Sequence, residues 1–144
     1  MNEAITGGSE KENIENYFTV INTNARSLTP KLTSFIDCMG ELDASIAVIT
    51  ETWLADGPTL AGDLDDLLQG KGIGMITKNR KPSSNGVAHG GVAIAFRAST
   101  VRLQEIKVSN PESYEVIVAA GSIAGQPRKL IVIAAYLPPG YVQA

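Results

Sequence analysis

Two short apolar runs separated by one amphipathic helical stretch constrain this chain more than any other feature. Residues 17–22 (YFTVIN) are rich in aromatic and β-branched side chains and read as a strand. Residues 45–50 (SIAVIT) are almost continuously apolar, the pattern of a strand covered on both faces. Between them Thr29-Pro30 reads as a helix start, a hydroxyl cap followed by proline at the first helical position, where its missing N–H costs nothing. Leu32, Phe35, Ile36, Met39 and Leu42 then recur at helical spacing and give one apolar face. Strand, helix and strand within about 35 residues make a βαβ unit, so the two strands are expected to be parallel.

The remainder extends an α/β pattern. Leu60, Leu64, Leu67 and Leu68 suggest a short helix, followed by a brief strand over 72–77. Residues 78–90 (KNRKPSSNGVAHG) are polar and rich in breakers, hence a loop. Four strand-like runs follow. Those at 91–97 and 101–108 are expected to form a hairpin around Ala98-Ser99-Thr100, and those at 113–121 and 129–136 a second around Ala124-Gly125-Gln126-Pro127. The expected class is α/β, a mixed sheet that is mostly antiparallel late in the chain, with helices on one face. No internal repeat or interdomain linker is visible. Residues 17–144 are therefore taken as one unit, and the polar residues 1–16 as a disordered lead.

Composition narrows the function classes. With 144 residues, 44% hydrophobic and 19% charged, the chain can bury a core. A single cysteine, Cys38, excludes an intramolecular disulfide framework and suits a reducing compartment. It lies off the apolar stripe with no base or second thiol nearby in sequence, so it reads as a packing or surface residue and not as a nucleophile. The longest apolar run, 130–137, is too short to span a bilayer, and the first residues lack the features of a secretory signal. An intracellular location, nuclear or cytoplasmic and away from the membrane, is the expectation.

The net charge of −3 excludes a strongly basic nucleic-acid arm, though not a nucleic-acid enzyme with local charge. Residues 1–16, with Glu3, Glu10, Glu12 and Glu15 against Lys11, account for all of it. Residues 37–70 then hold eight acids, Glu51 among them, and no Lys or Arg. Residues 71–107 answer with Lys71, Lys78, Arg80, Lys81, Arg97, Arg102 and Lys107 against Glu105 alone. Such a juxtaposition fits a metal site beside a phosphate-binding rim, but two clustered solvated faces are the commoner origin of such a pattern.

Strand ends carry the candidate chemistry. The first strand runs into Asn22-Thr23-Asn24, and the second into Glu51-Thr52-Trp53. Parallel strands of a βαβ unit end at the same sheet edge, where open α/β sheets place their ligands. Asn22, Asn24 and Glu51 can therefore converge. One carboxylate with nearby amide oxygens suits Mg²⁺, a hard cation that keeps several waters. By spacing alone the signal is weak, since an asparagine after a strand is usually a turn former and a glutamate there is usually solvated. A third strand, 130–136, ends on Tyr136, whose hydroxyl can bond a phosphate or whose ring can simply pack at the strand terminus.

Taken in order, NTNARSL, SIAVITETWL, HGGVAIAFR and IVIAAYLPPG resemble the endonuclease/exonuclease/phosphatase superfamily. The likeness is greatest to the apurinic-type endonuclease domain of non-LTR retrotransposons, and it covers residues 17–141. The resemblance implies a DNase I-like sandwich of two β-sheets flanked by helices, a phosphodiesterase site dependent on Mg²⁺ (or Mn²⁺), and nicking of double-stranded DNA. By motif position Glu51 would be the metal ligand. Asn24, which opens an Asn-x-x-x-Leu pattern ending at Leu28, would stand on the metal and phosphate side, with Asn22 matched less closely. Tyr136 would contact the scissile phosphate. In the family the 78–90 loop lies near the rim of the site, so Lys78, Arg80 and Lys81 would touch DNA backbone phosphates, if they are not merely solvated.

The departures bear on activity. Leu137 stands where many relatives carry a basic residue. No Asp-x-Asn follows Tyr136 and no Asp-His occurs, whereas the family uses such groups to activate water and stabilise the phosphate. The only histidine, His89, falls in the loop before Gly90-Gly91 and reads as a surface residue. The expectation is thus the N-terminal portion of such a domain. It would be one mixed sheet plus flanking helices, little active alone, with an apolar sheet face exposed and open to self-association. The alternatives are a phosphatase or phosphodiesterase of another branch of the superfamily, acting on inositol phosphates or sphingomyelin, and a non-catalytic residual binding fragment. Arg26-Ser27-Leu28 and Tyr136-Leu137-Pro138-Pro139 favour the retrotransposon branch.

Overall fold

Both faces of the strand Val92–Arg97 are apolar, and this places it at the centre of three layers. A computed structural model describes residues 18–55, 58–80, 89–109 and 114–138, without the side chains of 58–63. The expected lead at 1–16, Tyr17, Lys81 and Pro139-Gly140 lie outside the described residues.

The βαβ unit forms as expected. β1 (Val20–Asn24) pairs in parallel with β2 (Ile46–Thr50), and the helix α1 (Leu32–Glu41) crosses between them. Its entry differs from expectation. Thr29–Lys31 is a single 3₁₀ turn carrying the proline near its start, and no side chain caps it. The apolar stripe ends at Met39, since Leu42 follows the helix and is 54% exposed. After α2 (Pro58–Gly70) and β3 (Ile73–Lys78), β4 (Val92–Arg97) inserts between β2 and β3, antiparallel to both. The first sheet therefore runs β1-β2-β4-β3.

The expected hairpin around Ala98-Ser99-Thr100 is not formed. The reason is geometric: β4 has two edges, and β2 and β3 already occupy them. The three-residue turn instead carries the chain into a second, antiparallel sheet. There β5 (Val101–Ile106) pairs with β6 (Glu115–Ile123), and β6 with β7 (Lys129–Tyr136) through the expected tight turn. The strands expected in one mixed sheet thus divide into two, the sandwich that the resemblance implied.

Alternation along the strands sets the layers. Ala47, Ile49, Ala93 and Ala95 face the helices, packing with Leu28, Leu32, Ile36, Met39 and Leu68. Both helices thus cover one face of the first sheet, as expected. Ile46, Val92 and Ile94 point the other way, against Val101, Ile117, Ala119 and Ala134 of the second sheet. Each such Ile or Val contributes about 1.5–3 kcal/mol by leaving water. The far face of the second sheet has no layer over it among the described residues, and Ile131 and Ile133 there are both 65% exposed. No helix among the described residues is long and apolar enough to cross a membrane.

Candidate active site

The site is assembled where β1 and β2 end and β7 arrives from the second sheet. Asn24 lies level with Thr50, and Asn22 with Val48. Val48 packs toward the second sheet, so both asparagines, two residues apart and exposed, share the face that the second sheet approaches.

Beyond the strands, backbone hydrogen bonds lace two loops together. The N–H groups of Ala25, Ser27 and Leu28 donate to the carbonyls of Thr50, Glu51 and Thr52 at 2.9, 3.0 and 2.9 Å. From the opposite side Trp53 N–H donates to Gly90 O at 2.9 Å, and Thr52 N–H to Gly91 O at 3.4 Å. Holding Glu51 between two backbones has a conformational cost. Arg26, Ser27, Glu51 and Trp53 all adopt left-handed φ values, of 44, 81, 52 and 52°. For residues with a Cβ this costs about 1–2 kcal/mol each, and such strain collects at functional sites. Gly91 permits the contact because a Cβ there would strike the Thr52 hydroxyl beneath it.

Tyr136 closes the β7 strand on its inner face, in line with Val132 and Ala134. Its hydroxyl donates to Glu51 Oε1 at 2.8 Å, joining residues 85 positions apart and bridging the two sheets. Burial, then the Glu51 hydrogen bond and charge, raise the Tyr136 pKa. The Arg80 charge opposes this and Glu115 adds to it, which places both of those groups within electrostatic reach of the phenol.

Arg80 and Glu115 form the second half of the cluster. Arg80 Nε and Nη2 donate to Glu115 Oε1 and Oε2 at 2.8 and 3.0 Å, a fork-on-fork pair. Gly91 N–H also donates to Oε1, at 3.3 Å. Glu115 is only 9% exposed and stands directly across the ladder from Tyr136. A Cβ on Gly90, whose φ is +73°, would meet Arg80 Cζ and Glu115 Oε1 at 2.8 Å, so only glycine leaves the pair its place. Arg80, expected to reach DNA backbone phosphates, has two of its guanidinium nitrogens bonded to Glu115. Lys78, expected in the same role, donates to the Val116 carbonyl at 3.3 Å.

Glu115 was not foreseen. Its sequence signal is a carboxylate in phase with Ile117 and Ala119, the inward positions of β6, where a charge is buried only with a partner. His89 is exposed, as expected, with its ring 4.6 Å from that of Trp53 at an interplanar angle of 47°. Cys38 is exposed on α1, away from this edge.

Among the described residues no group of three or more His, Cys, Asp or Glu is present to hold a metal unaided. The oxygen-bearing side chains this edge offers are Glu51, whose Oε1 accepts from Tyr136, Asn24 at the end of β1, and Asn22 two residues inside that strand. Few hard oxygen donors at a solvent-facing edge fit Mg²⁺, which retains water, and do not fit zinc.

Profile comparison with known protein families finds no match, and no curated protein sequence matches. Solved structures do. The endonuclease domain of TRAS1, a telomere-specific non-LTR retrotransposon, superposes at a TM-score of 0.55 with 14% identity, over 85% of this chain and 47% of that one. The Neisseria 3′ phosphatase NExo, bound to a product DNA hairpin, matches at a TM-score of 0.50 with 20% identity, over 80% of this chain and 40% of that one. The chain spans less than half the length of either. Two packed sheets with helices on one outer face, in the order found here, are an endonuclease/exonuclease/phosphatase-like fold.

Proposed function

We propose that this chain carries the metal- and phosphate-binding side of a hydrolase that cleaves phosphodiester bonds in DNA. The observation that carries the proposal is the 2.8 Å hydrogen bond from Tyr136 to Glu51, formed between two sheets at the edge where Asn24 ends its strand. Similarity of fold to a retrotransposon endonuclease and to a phosphatase bound to DNA supports it.

In this proposal Glu51, with Asn24 and less directly Asn22, holds Mg²⁺ or Mn²⁺. Held there, such a cation would supply positive charge to offset the negative charge that builds on a phosphate during hydrolysis. Tyr136 keeps its hydroxyl proton and turns it toward Glu51 or a phosphate oxygen, and the strained 51–53 backbone fixes where that oxygen sits. Asn24 contributes an amide to the same side. Arg80 adds positive charge at the rim, and Lys78 and Lys81 are proposed for DNA backbone phosphates farther out. A group that activates the attacking water is not assigned to any of these residues, so hydrolysis is proposed to need further groups and the chain alone to be inactive.

A second proposal draws on the phosphatase match: removal of a terminal phosphate at the same centre in place of internal nicking. Supercoiled plasmid incubated with Mg²⁺ tests the function. The expected result is no nicking by the 144-residue chain. Robust nicking that disappears in Glu51→Ala would overturn the need for further groups. Nicking indifferent to Glu51→Ala would overturn the site itself.

A further inference from the structure

The Glu115–Arg80 pair is unusual in where it is buried. A carboxylate that is 9% exposed sits in the inward phase of β6, directly across the ladder from Tyr136. Removing such a charge from water costs several kcal/mol, and an apolar residue at the start of β6 would avoid that cost. What the carboxylate gains is geometry. Its two oxygens grip Nε and Nη2, and the Gly91 N–H fixes Oε1 from the backbone. The guanidinium plane is thereby set, and Gly90 lies against it with no side chain in the way. Nε and one side of Nη2 are taken up by this grip, and the Arg80 side chain remains 39% exposed. The charge so placed is near enough to Tyr136 to lower its pKa against the effect of Glu51.

We infer that Glu115 is a positioning residue that aims the outward edge of the Arg80 guanidinium at a phosphate oxygen beside Tyr136, making Arg80 the fixed anion contact of the site. This rests on the proposal that the ligand is a phosphate ester, and it adds how that ester is oriented. Arginine suits the task and lysine does not, because one planar group must bond the carboxylate on one edge and the phosphate on the other.

The sign of one substitution separates positioning from simple electrostatics. Glu115→Gln removes a negative charge close to the site. If only charge mattered, anions would bind more tightly. If Glu115 aims Arg80, they bind more weakly, because the neutral amide presents one oxygen where the fork needs two. The probes are a short fluorescein-labelled DNA duplex, read by anisotropy, and inorganic phosphate, read by its competition with the duplex. The full chain is used throughout, with circular dichroism to confirm that each variant is folded. The wild type is expected to bind the duplex and to be displaced by phosphate. Glu115→Gln and Arg80→Lys are each expected to lose about tenfold in affinity. Displacement from the wild type by phosphate, weakened in both variants, locates the loss at a single phosphate contact; a loss for the duplex without one for phosphate would place Arg80 at a DNA groove instead and overturn the inference.

Unchanged or tighter binding by Glu115→Gln, or wild-type binding by Arg80→Lys, would also overturn it. Should Glu115→Gln fail to fold, Arg80→Lys decides the matter, since Arg80 is partly exposed and the substitution keeps its charge. A parallel Mg²⁺ titration separates this inference from the proposed function. Mg²⁺ bound through Glu51 with phosphate indifferent to Arg80 and Glu115 removes the inference alone. Phosphate dependent on both residues, with no Mg²⁺ at Glu51, removes the hydrolase proposal and leaves the anion contact.

Discussion

Tyr136 donates its hydroxyl proton to Glu51 Oε1 at 2.8 Å, so the last residue of one sheet is tied to the residue just beyond the end of another. Among the described residues no regular hydrogen-bond ladder joins the two sheets, and this contact bridges them at the site edge. The bond favours the neutral form of Tyr136, and this sets how the phenol answers pH.

Tyr136 has a pKa raised above the usual tyrosine value, chiefly by burial and then by Glu51. A raised pKa means that the folded protein holds the phenol proton more tightly than the unfolded chain does. The resulting stability is fully present below the ordinary tyrosine pKa of about 10 and is lost as pH rises through the raised value. Glu51→Gln removes the charge and leaves the burial, so the pKa should fall part of the way back. Phenolate absorbance against pH, with Tyr136→Phe to assign the transition, measures it. An identical midpoint in Glu51→Gln would show that Glu51 does not govern the phenol.

Gly90 and Gly125 give a matched comparison. Their φ values are +73 and +75°, but a Cβ at Gly90 meets the Arg80–Glu115 pair while one at Gly125 meets nothing within 4 Å. Gly125→Ala should cost about 1 kcal/mol for the left-handed backbone alone. Gly90→Ala should cost that plus displacement of a partly buried ion pair, about 2–3 kcal/mol in all. Urea unfolding of the two variants reads the difference. Equal losses would mean that the guanidinium moves aside freely.

The outer face of the second sheet is expected to associate. Ile131 and Ile133 stand 65% exposed on β7, an edge strand, with the half-buried Val116 and Val118 beside them on β6. Apolar surface on a free edge is a template for pairing. Sedimentation should show concentration-dependent self-association that the double variant Ile131→Lys, Ile133→Lys reduces. By contrast Ile94→Ala, at a fully buried position between the sheets, should cost about 2–4 kcal/mol of stability without changing association. Monomeric wild type at high concentration would contradict the first expectation.

The sequence showed the βαβ unit and the strand ends because their signals are local. SIAVIT announces a strand with both faces covered, and the Thr29-Pro30 turn sets where the helix begins. The same reasoning applied to VAIAFR would have put β4 inside a sheet with both edges taken. The chain after Ala98-Ser99-Thr100 must then start a new sheet. The hairpin was expected because a three-residue turn between strands looks alike whether the chain folds back on its neighbour or crosses a layer. Asn24, Glu51 and Tyr136 were legible as polar residues at strand ends, and the fold brings their strand ends to one edge. Glu115 was not legible, because its partner Arg80 lies 35 positions earlier in a polar stretch and only the sandwich brings them together.

The central claim is that Glu51 is the carboxylate of a divalent-cation site. Titration of Mn²⁺ into the chain, followed by electron paramagnetic resonance of the free ion and competed with Mg²⁺, tests it most directly. The predicted result is weak binding at one site, displaced by Mg²⁺, reduced at least about tenfold by Glu51→Gln and less by Asn24→Ala. Equal binding by wild type and Glu51→Gln would contradict the account.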